Sequence, residues 1–138
     1  MGNTAPIFSK IGDVQWSISG ATAANTTVDL TSGTSYLVFT ADGTNGGYVQ
    51  RIRFRALGSN TASVARVWIN NGSTTTTVLN NVLYDEISLP STTVSQIAAL
   101  AVYELPLNFA LPPGYKMYVT LGTAVAAGYS ISVIGGKY

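Results

Sequence analysis

The chain has 138 residues, a formal charge of +1 and charged side chains at only 9% of positions, against about 25% in an average soluble domain. One domain of this length buries a core without covalent staples. With no cysteine and no histidine it forms no disulfide, no thiol nucleophile, no zinc site of Cys or His and no triad that needs a histidine base.

Acids and bases nearly cancel, so nothing draws the whole chain to nucleic acid or to an anionic membrane. The charge has been replaced by Thr, Ser, Asn and Gly, which implies a neutral surface partly covered by neighbours. The opening stretch "MGNTAPIFSKIGDV" has no basic start followed by an apolar run, so it does not read as a signal peptide. Pro6 at the sixth position argues against myristoylation. Residues 1–12 lack alternation and are expected to form an N-terminal arm, with residues 13–138 a single β-sandwich domain.

From there the dominant period is two, the mark of strands with one buried face. In chain order the expected strands are "TVDL" at Thr27–Leu30, "YLVFTA" at Tyr36–Ala41, "YVQRIRFRALG" at Tyr48–Gly58, "VARVWIN" at Val64–Asn70 and "VLYDEISL" at Val82–Leu89. Three more follow: Tyr103 to Leu111, Tyr115 to Leu121 and Tyr129 to Val133. "DGTNGG", "NNGSTTTT", "LPPGY" and "GTAVAAG" punctuate them as turns. Pro106 has no N–H to give, which places its strand at an edge or beside a bulge. "TTVSQIAALAVY" could hold a helical turn. Its "IAALAV" is the longest apolar run, far short of the roughly 20 residues of a spanning helix. About eight short strands without a helix predict an all-β fold, an antiparallel β-sandwich of jelly-roll type with two four-stranded sheets.

Arg51, Arg53 and Arg55 stand at every second position, so on a strand they share one face while Ile52, Phe54 and Ala56 take the other. Arg66 follows on the next strand. The acids Asp85, Glu86 and Glu104 are the expected partners, in a cross-strand or inter-subunit ion-pair network where the guanidinium fork holds geometry. The competing role, a polyanion clamp, lacks any nucleic-acid motif or basic domain.

A glycosidase needs two carboxylates across a cleft. Asp85 and Glu86 are adjacent and point to opposite faces of a regular strand. Asp85 falls with Leu83, Ile87 and Leu89, which requires either a bulge or an arginine against it. "DGTNGG" at Asp42–Gly47 has the oxygen-rich look of a calcium loop, but a hairpin turn accounts for it. Neither a catalytic pair nor a cofactor or metal is expected. The sequons Asn25-Thr26-Thr27 and Asn71-Gly72-Ser73 read as chance matches. Trp16 and Trp68 could each be core; Tyr48, Tyr84, Tyr118 and Tyr138 lie on the less apolar faces and suit an interface.

The span from Tyr48 to Tyr138, with "RIRFRALGSNTASVARVWINNGS", "NNVLYDEISLP" and "LPLNFALPPGYKMYVTLGTAVAAGYSISVIGGKY", resembles a group of small structural proteins of tailed bacteriophages. That resemblance implies a single jelly roll acting as a head decoration, or cement, protein, a homotrimer seated on the major capsid protein. The expectation is a non-enzymatic virion subunit on the capsid surface, made in the host cytoplasm. The alternative is a receptor- or carbohydrate-binding module of a tail or fibre.

Overall fold

The computed structural model describes residues 9–17 and 20–138. The strands are β1 (Ile11–Trp16), β2 (Tyr36–Thr40), β3 (Gly47–Ala56), β4 (Ser63–Asn70), β5 (Asn81–Leu89), β6 (Tyr103–Leu111), β7 (Lys116–Leu121) and β8 (Tyr129–Lys137), with a 3₁₀ turn at Val78–Asn80. They form two antiparallel sheets, ordered β1-β8-β3-β6 (sheet A) and β2-β7-β4-β5 (sheet B). Each chain-sequential pair from β1 to β8 except β4–β5 changes sheet, and this order is the jelly roll, two Greek keys wrapped around one core.

Alternation fills the space between the sheets. Ile52, Phe54, Ile131 and Val133 come down from sheet A, and Phe39, Val67, Met117 and Val119 rise from sheet B, all with no exposed surface. The two open sides are closed differently. Where β1 meets β2, the Gln15 side-chain amide stands in for a strand residue: its Nε2 donates to Thr40 O at 2.9 Å and its Oε1 accepts Thr40 N–H at 2.8 Å. Where β5 meets β6, the rings of Tyr84 and Phe109 pack edge-to-face with centroids 4.9 Å apart.

Of the two alternatives expected around Pro106, an edge position or a bulge, both are present. β6 is the outer strand of sheet A, and its register against β3 shifts between the Val49↔Phe109 and Arg51↔Pro106 pairs. Asn108 relieves that shift with a positive φ of 53°. On the other side of β3, Gly135 lets the backbones close in, because a Cβ there would collide with the Tyr48 carbonyl.

Three expectations change. "TVDL" is not a strand. Asn25 and Asp29 each fold the backbone back through an Asx turn, accepting the N–H of Thr27 and of Thr31, and Leu30 is left-handed at φ 63°. Local side-chain bonding there defeats β propensity. The eighth strand is instead β1, which begins at Ile11, inside the segment expected as an arm; the rest of that arm, residues 1–8, lies outside the described residues. "TTVSQIAALAVY" takes no helix before β6 begins at Tyr103.

Behind the sheets' upper ends, Asn60 ties three loops. Its Oδ1 accepts the N–H of Ala127 and of Gly128, and its Nδ2 donates to Gly128 O at 3.0 Å. Nearby Tyr129 is fully buried, with the Asn60 side chain the polar group beside its hydroxyl. Burial first, then the neighbouring Tyr103, push that phenol above its ordinary range.

Candidate functional site

The arginine strand lies inside sheet A, and its outward residues form rows with the neighbouring strands. One row runs Val14, Ile134, Arg51, Pro106; the next runs Trp16, Ser132, Arg53, Glu104; Ser130 stands beside Arg55. Serine at two of the three β8 positions leaves room for the arginine stems to lie along the sheet. Ile52 and Phe54 are fully buried on the opposite face, as the alternation requires.

Glu104 serves two arginines. Its Oε1 lies 3.3 Å from Arg53 Nε and 3.8 Å from Arg51 Nε. Both Nε atoms are buried without an aligned hydrogen bond, and all three side chains stay about 40% exposed. Arg55 donates instead to the carbonyl of Leu100 at 3.0 Å. Three guanidinium groups against one carboxylate leave this face at a net +2. Beside them Trp16 is 65% exposed and Val14 51%, an uncommon position for indole unless something covers it.

Arg66 is not part of that patch. It sits on β4, in the other sheet, where Glu86 stands opposite in register and Arg66 Nε meets Glu86 Oε1 at 3.0 Å. The four arginines therefore stand as two separate groups on opposite outer faces. Glu86 and Glu104 face away from each other across the sandwich and share no cleft. Asp85 takes the first of its two expected explanations: the register shifts between Val67↔Asp85 and Trp68↔Leu83, so a bulge turns it to solvent. Its Oδ1 accepts the Glu86 N–H at 2.7 Å, with no arginine against it.

The outer face of sheet B is covered. Arg66 Nη1 donates to Asn25 O at 3.5 Å and Asn81 Nδ2 donates to Asp29 O at 3.1 Å. Arg66 and Asn70, the register partner of Asn81, flank Trp68 on β4, so the connection from β1 to β2 crosses above the indole. Trp68 is 2% exposed and Leu30 3%, though neither belongs to the core between the sheets. The indole Nε1 donates to Thr120 Oγ1 at 3.0 Å. Asn25, 4% exposed, holds the cover in shape. Its Nδ2 donates to the carbonyls of Ser32 and Thr34, and its Oδ1 accepts from Thr27.

At the "DGTNGG" turn, Asp42 Oδ2 accepts the N–H groups of Asn45 and Thr44. Those backbone bonds hold its carboxyl below the usual range, and Thr31 does the same for Asp29. The carboxylate is spent on the turn, which is not the expected hairpin: it carries the chain from β2 in sheet B across to β3 in sheet A. Among the described residues no three acidic side chains gather as a metal site would require. A groove of about 320 Å³ opens at the β3 bulge, lined by Ser9, Tyr48, Gln50, Ile134 and Gly135.

Sequence reasoning found the arginines and the three acids expected to partner them, but not which acid meets which arginine; the structure pairs Arg66 with Glu86 and Glu104 with Arg51 and Arg53. It missed Trp16 as a surface residue, although Val14 and Trp16 alternate with Asp13 and Gln15 in "DVQW". It also missed Asn25, whose Asn-x-Thr spacing is the spacing of an Asx turn. The chain matches no family model, no curated protein and no solved structure.

Proposed function

We propose that this chain is a non-enzymatic structural subunit of a tailed-bacteriophage virion, a jelly-roll decoration protein that bridges major capsid proteins on the head. The observation that carries the reading is the apolar surface along the outer strand of each sheet. β1 turns Ile11, Val14 and Trp16 to solvent, and β5 with its preceding turn exposes Val78, Leu79, Val82, Leu83 and Tyr84. Edge strands are the places where a free protein is expected to place charge. Apolar edges on a chain this poor in charge suit a subunit packed among others. The resemblance of Tyr48 to Tyr138 to phage structural proteins supports the same reading, and self-association together with capsid contact are its partners.

The test is co-sedimentation of the purified chain with heads that lack their decoration protein. The expected result is saturable binding and a rise in the temperature at which the heads open. Free chain left in the supernatant at every ratio overturns the proposal.

The groove beside Tyr48 and Gln50 favours one second reading, a carbohydrate-binding module of a tail or fibre. Its aromatic and amide lining is the chemistry that meets a sugar ring. Binding of host polysaccharide that Tyr48→Ala abolishes would replace the first reading with this one.

A further inference from the structure

Both outer faces of the sandwich carry the same three ingredients: tryptophan, arginine and one glutamate. On sheet B these are Trp68, Arg66 and Glu86, and a length of backbone lies over them. Arg66 reaches a carbonyl of that cover, and the indole is shut away from water. On sheet A the set is Trp16, Arg53 and Glu104, with Arg51 and Arg55 added. Among the described residues the chain offers this face little cover, and Trp16 stays 65% exposed. The molecule thus shows what such a face looks like when it is filled, and presents a second one that the described residues leave largely bare.

The same molecule carries a surface of opposite character. Along β5 the apolar Val82, Leu83 and Tyr84 stand next to Asp85 and Glu86. Two carboxylates against the one guanidinium of Arg66 make that edge net −1, and Asp85 has no basic partner. Sheet A's outer face is net +2 with Trp16, Val14 and Ile134 as its apolar part. Charge and apolarity both match, and neither surface matches itself.

We infer that the outer face of sheet A docks on the β5 edge of a second copy of this chain. Arg51 and Arg53 meet Asp85, and Trp16 with Val14 packs against Val82, Leu83 and Tyr84. The contact joins two different patches, so it is head-to-tail, and copies close into a ring or run on as a filament according to the angle. Complementary charge of this kind fixes which patches meet and suppresses the like-charged pairings. The inference rests on the reading of the chain as an assembly subunit and names the surfaces that do the assembling.

A charge swap tests it, read as solution mass by light scattering on the full chain. The parent chain is expected at a multiple of its 14.4 kDa monomer mass, with the assembly loosening at high salt. Arg53→Glu and Asp85→Arg are each expected to fall to the monomer mass. The double variant, with both charges exchanged in one chain, is expected to regain the parent mass. A parent chain that is monomeric, single variants that stay assembled, or a double variant that stays monomeric each overturn the inference. If Arg53→Glu loses its cooperative melt, Arg51→Glu carries the same swap, and Asp85→Arg reads the contact from an exposed position. Head binding is scored separately on the same samples. Monomers that still bind heads would sink this contact and leave the decoration role standing; a rescued assembly that ignores heads would do the reverse.

Discussion

The outer faces of sheets A and B are built from nearly the same residues and end in opposite states. Trp68 is 2% exposed and Trp16 65%. Arg66 is 19% exposed, Arg53 40%. The difference lies in what crosses above. The connection between β1 and β2, pinned by Asn25 and Asp29, spans sheet B, and no comparable connection among the described residues spans sheet A. A strand's alternation decides which face a side chain takes; whether that face is wet is decided by a distant piece of chain.

The sharpest way to break this comparison is to make one substitution on both faces. Trp68→Ala is expected to cost about 4 kcal/mol of folding stability, the usual loss for a buried aromatic. Trp16→Ala is expected to change the monomer by less than about 0.5 kcal/mol. Denaturant titrations of the two variants decide it, and equal losses would mean the faces do not differ as described.

The cover can be attacked next. Asn25→Ala removes the bonds that shape the β1–β2 connection and leaves buried carbonyls unsatisfied, for an expected loss of about 2 kcal/mol. In a Trp16→Phe background, where Trp68 is the remaining indole, acrylamide should quench fluorescence far better once Asn25 is replaced. Unchanged quenching would mean that the cover stands without this side chain.

The ion pairs are expected to matter less. Glu86→Gln and Glu104→Gln should each cost about 0–1 kcal/mol, because both carboxylates are well exposed and such pairs are screened. A loss from Glu104→Gln that appears only in the assembled protein would place its arginines in the contact between copies.

The smallest effect is with pH. Asp29 and Asp42 have their carboxyls held below the usual range by hydrogen bonds to the backbone. A group depressed in the folded state adds stability above its unfolded pKa of about 3.9, and that stability is lost as pH falls through the lower folded value. With no histidine in the chain, thermal stability should be flat from about pH 5 to pH 8 and decline below about pH 4. Asp29→Asn should soften the acid decline, because it removes one of the two carboxyls whose protonation costs stability. A parent chain whose melting temperature moves between pH 5 and 8 would contradict this.

Much of the fold was legible in the sequence, for a physical reason. Period-two alternation such as Ile52–Phe54 against Arg51–Arg53–Arg55 leaves a strand no choice of face, and turn residues fix where strands stop. Seven strands and the two-sheet sandwich follow from that. Pro106, lacking an N–H, announced an edge or a bulge, and the structure has both. Asp85, out of phase with its neighbours, left a bulge or a buried arginine contact open, and the register shift decided for the bulge. "TVDL" failed because Asx turns at Asn25 and Asp29 compete with the ladder, and "IGDVQW" was passed over because its apolar residues face outward, where the pattern gives no core.

The sequence by itself determined composition, period and turn chemistry: an all-β chain, poor in charge, with three arginines on one face of one strand. Only the tertiary structure decided that Arg66 stands on the far side of the sandwich from them, that Glu104 divides itself between Arg51 and Arg53, and that one tryptophan is buried and the other is not. Those outcomes depend on which strands become neighbours and on which loop crosses which face. Both are set by contacts between residues far apart in the chain, to which local periodicity is blind.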